Sequence, residues 1–388
     1  MRQSLLRTTS LNIVKIEGNV CDRFRDCNLK KLTLFFAILG LIVTTLIVAW
    51  SGVDPVLHAV LSIGFYGFCA IVLCQLLVDG VLGLAWHVAF PELGYWRLVG
   101  ARMVRDAVGS CLPLSQVGGM VLGVRATCLR VKETSPNIYL SEATGANLVD
   151  ITTEVMGQVA FILLAIISLV TYRGFHPLVM PIMGGALFLV VGSIGFIWTQ
   201  RNGGRLLRRF GGAFVRKMTE KWQNGLLDSV DAAQNYLEQA WSHPLRIAMA
   251  ASCHLLGWLG SAGILWVTAW FLGASLTFFQ AVAIEGVACA IMSVGFFIPA
   301  GLGVQEGAYM VIGHVFDISA PIALGFSLLR RGRELTVGIS VLLIWQFLEM
   351  RSLHVEHYHT KIENVKADQF PVRTFVYEIP NKEEGDID

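Results

Sequence analysis

Long stretches without any Lys, Arg, Asp or Glu constrain this chain more than any other feature. A helix needs about 20 apolar residues to cross a hydrocarbon core about 30 Å thick, and several stretches have that length. Only 15% of the 388 residues are charged, against about 25% in soluble domains. A soluble core does not explain such a composition, so the sequence predicts an all-α polytopic membrane protein.

The charge-free stretches also give the number of crossings. Four of them predict one crossing each, and a fifth predicts a crossing followed by a turn near Gly273 and the start of another helix. In chain order they are 32–50, 59–78, 155–172, 177–200 and 247–284. Shorter runs follow at 308–316, 318–329 and 335–348, and we interpret the last of these as a crossing. We therefore expect about seven to eight transmembrane helices.

The basic residues indicate an orientation, because cytoplasmic loops of membrane proteins are enriched in Lys and Arg. Residues 1–31 carry more basic than acidic side chains, so we expect a cytoplasmic leader before a transmembrane domain of residues 32–350. Residues 201–246 predict a basic cytoplasmic loop, either an amphipathic helix lying on anionic lipid heads or an ordinary inner loop. We expect the polar tail 351–388 to be largely disordered.

A first Pro/Gly break lies in residues 107–124, where Gly118, Gly119 and Gly123 follow Pro113. Arg105 precedes this apolar segment and Arg125 follows it, so a single crossing would place one basic flank outside. We expect instead a re-entrant or broken element, since opened backbone at bilayer depth is tolerated where it lines a cavity. A kinked packing helix is the alternative. The candidate site residues here are Arg105, Asp106 and Gln116.

Two carboxylates follow at the start of the next span. Asp150 and Glu154 are four residues apart, which places them on one helix face. Ionisable groups inside a membrane are costly and are therefore functional candidates, and this pair could hold protons or bind a cationic head. The alternative is a solvated helix start, where acids suit the helix dipole.

A second break carries the largest group of candidates. Pro299 interrupts an apolar run after Glu285, and a carboxylate follows at Glu306. These carboxylates need partners at bilayer depth, and we expect them among the arginines at 330–333, the nearest basic residues in sequence. The alternative is that those arginines mark a cytoplasmic boundary. The candidate site residues here are Glu285, Pro299, Gly303, Gln305, Glu306, Arg330, Arg331, Arg333 and Glu334.

The two breaks are similar to one another, since each places a glutamine, a valine and glycines shortly after a proline. Interrupted apolar segments in both halves of a membrane protein indicate a midplane site between internal repeats. An inverted repeat is therefore a further hypothesis.

At these breaks the sequence resembles the lysylphosphatidylglycerol synthase transmembrane-region family, and within it a hopanoid biosynthesis-associated branch. The resemblance rests on residues 112–119, 150–154, 296–307 and 328–334, including a Pro-x-Gly-x-Gly-x-x-Glu pattern. It implies a flippase-like domain that moves an amphipathic lipid between leaflets of the bacterial inner membrane. The site residues that it implies are Gln116, Asp150, Glu154, Glu285, Glu306 and Arg330. Met120 and Met292 depart from that branch, which has charged residues there.

The resemblance also implies the partners, which are a hopanoid or an anionic or aminoacylated phospholipid, and hopanoid-biosynthesis enzymes. A net charge of +2 gives no reason to expect nucleic acid, and cysteine spacing predicts no metal or cofactor. Aminoacyl transfer in this family belongs to a soluble domain for which we find no room, so we expect no enzyme activity. Two alternatives remain open: a lipid-modifying enzyme using Glu285 and Glu306, and a scaffold for a hopanoid-making complex.

Overall fold

The computed structural model describes residues 53–111, 116–128, 138, 140–175, 177, 179–210, 232–294 and 304–369. Within these ranges the secondary structure is helical, which confirms the predicted all-α class. The ten helices of this part are α1 Val53–Ala89, α2 Tyr95–Cys111, α3 Gln116–Cys128, α4 Leu140–Arg173, α5 Val179–Phe210, α6 (232–241), α7 Pro244–Phe271, α8 Phe278–Val294, α9 Val304–Val315 and α10 Ala320–Gln369.

Four of the described helices are long and apolar enough to cross a membrane. Their spans are Leu61–Ala89, Leu140–Arg173, Val179–Gln200 and Pro244–Phe271, and Phe278–Ser293 is a shorter apolar helix. Large apolar side chains cover their outer faces; Phe65 is 76% exposed and Phe188 is 68% exposed. Such surfaces suit lipid rather than water. The crossing predicted at 32–50 lies outside the described residues.

Two spans are longer than their sequence prediction. The stretch predicted at 59–78 continues to Ala89, and the stretch predicted at 155–172 begins at Leu140. The prediction ended each stretch at the first charged residue, Asp79 in one case and Glu154 in the other. Asp79 accepts a hydrogen bond from Gln75, and Glu154 pairs with two arginines. Charge-free length therefore underestimates a span whose charges have partners.

The predicted turn near Gly273 is confirmed. Helix α7 ends at Phe271 and α8 begins at Phe278, and Gly273 has a positive φ of 74°, which glycine adopts without steric cost. Thr277 and Gln280 then cap α8 reciprocally. The Thr277 N–H donates to Gln280 Oε1 at 2.8 Å, and the Gln280 N–H donates to Thr277 Oγ1 at 3.2 Å. This is a capping box.

The last helix differs from its prediction. The run at 335–348 and all but the first two residues of the run at 318–329 lie in one continuous helix, α10. The charged residues between them do not end the helix, since Arg330 and Glu334 form an i, i+4 ion pair with an Nε–Oε1 distance of 2.9 Å. The helix also continues to Gln369, where the sequence analysis expected disorder from residue 351 onward; residues 351–369 contain neither proline nor glycine.

The predicted basic loop 201–246 lies partly in helices. Helix α5 continues to Phe210, and α6 packs against the end of α1. The rings of Tyr236 and Phe90 stack with centroids 5.1 Å apart, and Leu237 is buried in the same apolar cluster as Trp86. The second half of this segment is therefore attached to the core, and residues 211–231 lie outside the described part.

Two similar units position the candidate site. Helices α2 and α3 have 17 and 13 residues and flank the first Pro/Gly break. Helices α8 and α9 have 17 and 12 residues and flank the second. Each unit packs against the long helix that follows it, α4 in one case and α10 in the other.

Candidate functional site

The first cluster of charges joins α2 to α4. Arg102 Nη1 lies 3.1 Å from Asp150 Oδ2, and Arg102 Nη2 lies 2.6 Å from Glu154 Oε1. One turn further, Arg105 Nη2 lies 2.9 Å from the same Asp150 oxygen and 2.9 Å from Glu154 Oε2. Asp106 accepts a hydrogen bond from Arg102 Nε at 2.7 Å on the exposed side. Because each guanidinium binds both carboxylates of α4, the two helices are held by a network.

This network lies deep in the fold. Asp150 is fully buried, and Arg102 and Arg105 are 3% and 6% exposed. Glu154 is the fifteenth residue of the 34-residue span α4 and lies close to its middle. The alternative of a solvated helix start is therefore wrong for Asp150. Arg105, which the sequence analysis placed on a basic flank, is buried in ion pairs together with Arg102.

His254 of α7 completes the surroundings of Asp150. Its Nε2 lies 3.1 Å from Asp150 Oδ1, and its ring is fully buried. Helices α4 and α7 approach closely at Gly157, where an added Cβ would lie 2.8 Å from the His254 Cβ and 3.0 Å from the backbone oxygen of Ala251. A small residue at such a contact lets two helix backbones come together. The close contact at Gly157 thereby allows the His254 imidazole to reach the Asp150 carboxylate.

Helix α3 fixes the position of Arg105. A Cβ on Gly119 would lie 2.7 Å from the backbone oxygen of Arg105, and one on Gly123 would lie 3.1 Å from its Cβ. Asn147 links the two elements to α4, since it accepts from Arg105 Nη1 at 2.8 Å and donates to the Met120 carbonyl at 2.9 Å. The glycines after the first break therefore allow α2 and α3 to pack closely. The Met120 carbonyl near this contact accepts a hydrogen bond from the Asn147 side chain.

The second cluster joins α8, α9 and α10. The Tyr309 hydroxyl donates to Glu285 Oε2 at 2.6 Å and accepts from Arg330 Nη1 at 3.0 Å. Arg330 Nη1 also donates to Glu285 Oε1, and its Nε donates to Glu334 Oε1 at 2.9 Å. Glu285 is 2% exposed. The pairing of Glu285 with an arginine of 330–333, expected from the sequence, is found.

A second ion pair lies beside the first. Arg331 Nε lies 2.7 Å from Glu306 Oε1, and both side chains are mostly buried. Ser327 donates to the same carboxylate at 3.2 Å and accepts a hydrogen bond from Gln305 Nε2 at 2.9 Å. Helix α9 is therefore attached to α10 by both of its first polar side chains.

Arg333 lines a small cavity together with Glu285, Tyr309 and Arg330. The space within it that a water centre can occupy is about 10 Å³, which is room for about one water molecule. The site therefore has a polar interior next to the ion pairs of the second cluster.

Asp79 of α1 is a further buried carboxylate. Its carboxylate is 5% exposed and accepts a hydrogen bond from Gln75 Nε2 at 2.7 Å. It interacts electrostatically with Arg102 and Asp106 of the first cluster and with Arg333 near the second. A buried charge of α1 thus acts on residues from both halves of the chain.

The family of the chain follows from a sequence match that spans both clusters. The model of the family described as lysylphosphatidylglycerol synthase TM region matches residues 37–341, more than three quarters of the 388 residues. The chain belongs to this family. Comparisons with curated proteins and with solved structures give no match. Membership relates the chain to membrane proteins of lipid modification.

Most of the predicted site residues of this family member lie in one of the two clusters. The first contains Arg105, Asp106, Asp150 and Glu154; the second contains Glu285, Gln305, Glu306, Arg330, Arg331 and Glu334, with Arg333 on the cavity beside it. Gln116 begins α3, but its side chain lies outside the description. Pro299 and Gly303 also lie outside the described residues. The roles assigned to all of these residues stay predictions.

Sequence reasoning missed Arg102, His254 and Tyr309. Arg102 had a signal, since it is four residues before Asp106 on one helix face. His254 had one too, because a polar residue inside the long apolar run 247–284 needs a partner. Tyr309 had none, since only the pairing of α8 with α9 brings it to Glu285.

The charged groups of the two clusters are suited to binding a polar ligand. Among the described residues, no group of three His, Cys, Asp or Glu side chains is placed to hold a metal ion. A buried carboxylate accepts hydrogen bonds from ammonium or hydroxyl groups, and guanidinium binds phosphate or carboxylate oxygens. The paired charges could therefore exchange partners with a polar ligand that enters between the helices.

Proposed function

We propose that the protein translocates an amphipathic lipid between the leaflets of a bacterial inner membrane. One observation carries the proposal: Asp150 is fully buried and ion-paired with Arg102 and Arg105 in the middle region of a candidate span. Charges at such a depth are costly and are kept mainly along substrate or ion pathways. Membership of a lipid-related membrane family supports the same conclusion.

The physical logic concerns the polar head. Moving a polar head through hydrocarbon is unfavourable unless new hydrogen bonds or ion pairs replace its hydration. The carboxylates and guanidiniums of the two clusters could provide these contacts in turn, while the apolar tails remain in lipid. The Pro/Gly breaks would add backbone groups to the path.

The proposed topology keeps the cytoplasmic N-terminus, seven or eight crossings and the two re-entrant elements in a domain of residues 32–350. An inverted repeat is supported by the two helical units, because α2 and α8 both have 17 residues. The eighth residue of each is a buried charge, Arg102 in α2 and Glu285 in α8. Such repeats place substrate sites at their interface in many transporters.

The proposed substrate is a hopanoid, or alternatively an anionic or aminoacylated phospholipid, and hopanoid-biosynthesis enzymes are proposed partners. The resemblance to the hopanoid-associated branch supports the first choice, and the family description supports the second. We propose no enzymatic activity: translocation changes the leaflet distribution of a lipid and leaves its mass unchanged. A new lipid mass after incubation with the pure protein would instead favour headgroup modification.

Leaflet exchange in reconstituted vesicles tests the proposal. Fluorescent derivatives of each lipid class are placed in both leaflets, and the rate at which inner-leaflet label becomes accessible to a membrane-impermeant quencher is measured. We expect exchange faster than in protein-free vesicles, and a large reduction by Glu306→Gln, which removes the charge that binds Arg331. Glu238→Gln on the exposed face of α6 is the matched control.

The proposal fails if wild-type protein exchanges lipid no faster than empty vesicles across these lipid classes. It also fails if Glu306→Gln and Glu238→Gln behave alike in correctly folded protein. A preference for the hopanoid derivative would identify the branch, and a preference for the phospholipid derivative would exclude hopanoid as the main substrate.

A further inference from the structure

Arg333 is a buried cation that forms no direct ion pair in the described part of the chain, although Glu334, Glu285 and Asp79 act on it electrostatically. The residue is 5% exposed, and its Nε has no hydrogen-bond partner there. The neighbouring arginines of α10 differ, since Arg330 binds Glu285 and Glu334 and Arg331 binds Glu306. An unpaired buried charge is strongly unfavourable, so a partner from outside the described residues would stabilise Arg333.

The cavity beside Arg333 has donors that suit an anion. Of the described residues that line it, two carry guanidinium groups, Arg330 and Arg333, and one carries a carboxylate, Glu285. Ser261 adds a hydroxyl to the wall. Glu334 attracts Arg333 from outside the cavity lining, and it also binds the Nε of Arg330.

The size of the cavity limits what it can hold. Room for about one water molecule suits a ligand that places a single atom in the cavity. A halide ion fits, and so does one oxygen of a larger oxyanion whose remaining atoms stay at the cavity mouth. Either ligand brings a negative charge next to the guanidinium groups that line the cavity.

We propose that this cavity binds one monovalent anionic atom between Arg333 and Arg330. The atom is either a halide ion from solution or a single oxygen of a lipid phosphate. The same guanidinium groups would bind both. The proposal stands on the unpaired guanidinium and the cavity alone. It therefore does not depend on whether the protein translocates lipid.

Ligand-dependent thermal unfolding of the full chain in maltoside detergent tests the site. The unfolding midpoint is followed while gluconate, which is too large for the cavity, is replaced by bromide at constant ionic strength. A second titration uses phosphatidylglycerol in gluconate buffer, with an uncharged diacylglycerol as its control. We expect a saturable rise of the midpoint in at least one titration. Losing a charged hydrogen-bond partner in Arg333→Gln should weaken that apparent affinity about tenfold or more.

Arg173→Gln is the matched control, because Arg173 pairs with Asp317 at a distant helix end. Arg333→Lys is the second variant; it keeps the charge, so it should bind more weakly than wild type and more tightly than Arg333→Gln. A response to bromide assigns a free ion, and a response to phosphatidylglycerol alone assigns a lipid oxygen. The proposal is overturned if wild-type protein responds to neither ligand. Equal affinities in wild-type protein and the folded Arg333 variants would overturn it as well.

Discussion

Asp150→Asn removes one charge from the centre of the first cluster while keeping the size of the side chain. The native carboxylate is fully buried and accepts from Arg102 at 3.1 Å, lies 2.9 Å from Arg105, and meets His254 at 3.1 Å. The amide can accept at one atom only, and its NH₂ group would face donors.

The expected cost follows from this geometry. Removing one member of a buried ion pair costs about 3–5 kcal/mol, because the other member stays buried without compensation. Glu154 still binds both arginines, so we expect the lower half of that range, about 3 kcal/mol. Asp317→Asn is the control, since Asp317 is 81% exposed in its pair with Arg173; exposed pairs contribute about 0–1 kcal/mol.

A double-mutant cycle separates the pair from the network. Arg105→Gln alone leaves Asp150 with one fewer cation, and the combined variant removes both charges. If the network argument is correct, the double variant loses less stability than the sum of the single variants, by about 0.5–3 kcal/mol. The assay is the free energy of unfolding in bicelles by steric trapping.

The reasoning is refuted if Asp150→Asn costs no more than Asp317→Asn. Strict additivity in the cycle would also refute it, because it would mean that Asp150 and Arg105 do not interact in the folded protein.

Two further substitutions test the packing around the clusters. Gly157→Ala should cost about 1–3 kcal/mol by overpacking, because its Cβ meets backbone atoms of α7, whereas Gly184→Ala has open space and should be neutral in the same unfolding assay. Tyr309→Phe should cost about 1–3 kcal/mol, since it removes the buried hydroxyl that donates to Glu285 Oε2 and leaves Arg330 as the donor to the other oxygen; Tyr172→Phe on the exposed side is its control, and equal effects would contradict the assignment.

Much of the fold could be predicted because bilayer thickness sets the length of an apolar run. The spans α5 and α7 and the turn at Gly273 follow from that rule. The rule failed at α1 and α4, where it treated Asp79 and Glu154 as ends. It failed again at α10, because a sequence does not show that charges at 330–334 have partners on other helices.

The sequence predicted the acidic residues of the candidate site but not which residues they bind. Buried carboxylates such as Asp150 and Glu285 were found because any charge at bilayer depth needs an explanation. Their partners could not be derived, since Arg102 and Asp150 are 48 residues apart in sequence. Tertiary packing decides which arginine meets which acid, and it left Arg333 facing a cavity instead of a carboxylate.

Headgroup photo-cross-linking tests the central claim most directly. A phospholipid with a photoreactive group on its head is incorporated into vesicles with the protein, irradiated, and mapped to residues by mass spectrometry. We expect labels on side chains of the two clusters, Glu154 and Glu306 among them, and fewer labels there when a non-reactive headgroup lipid competes. Labels confined to lipid-facing side chains such as Leu187 and Phe188 would contradict the claim that a polar head passes between the buried charges.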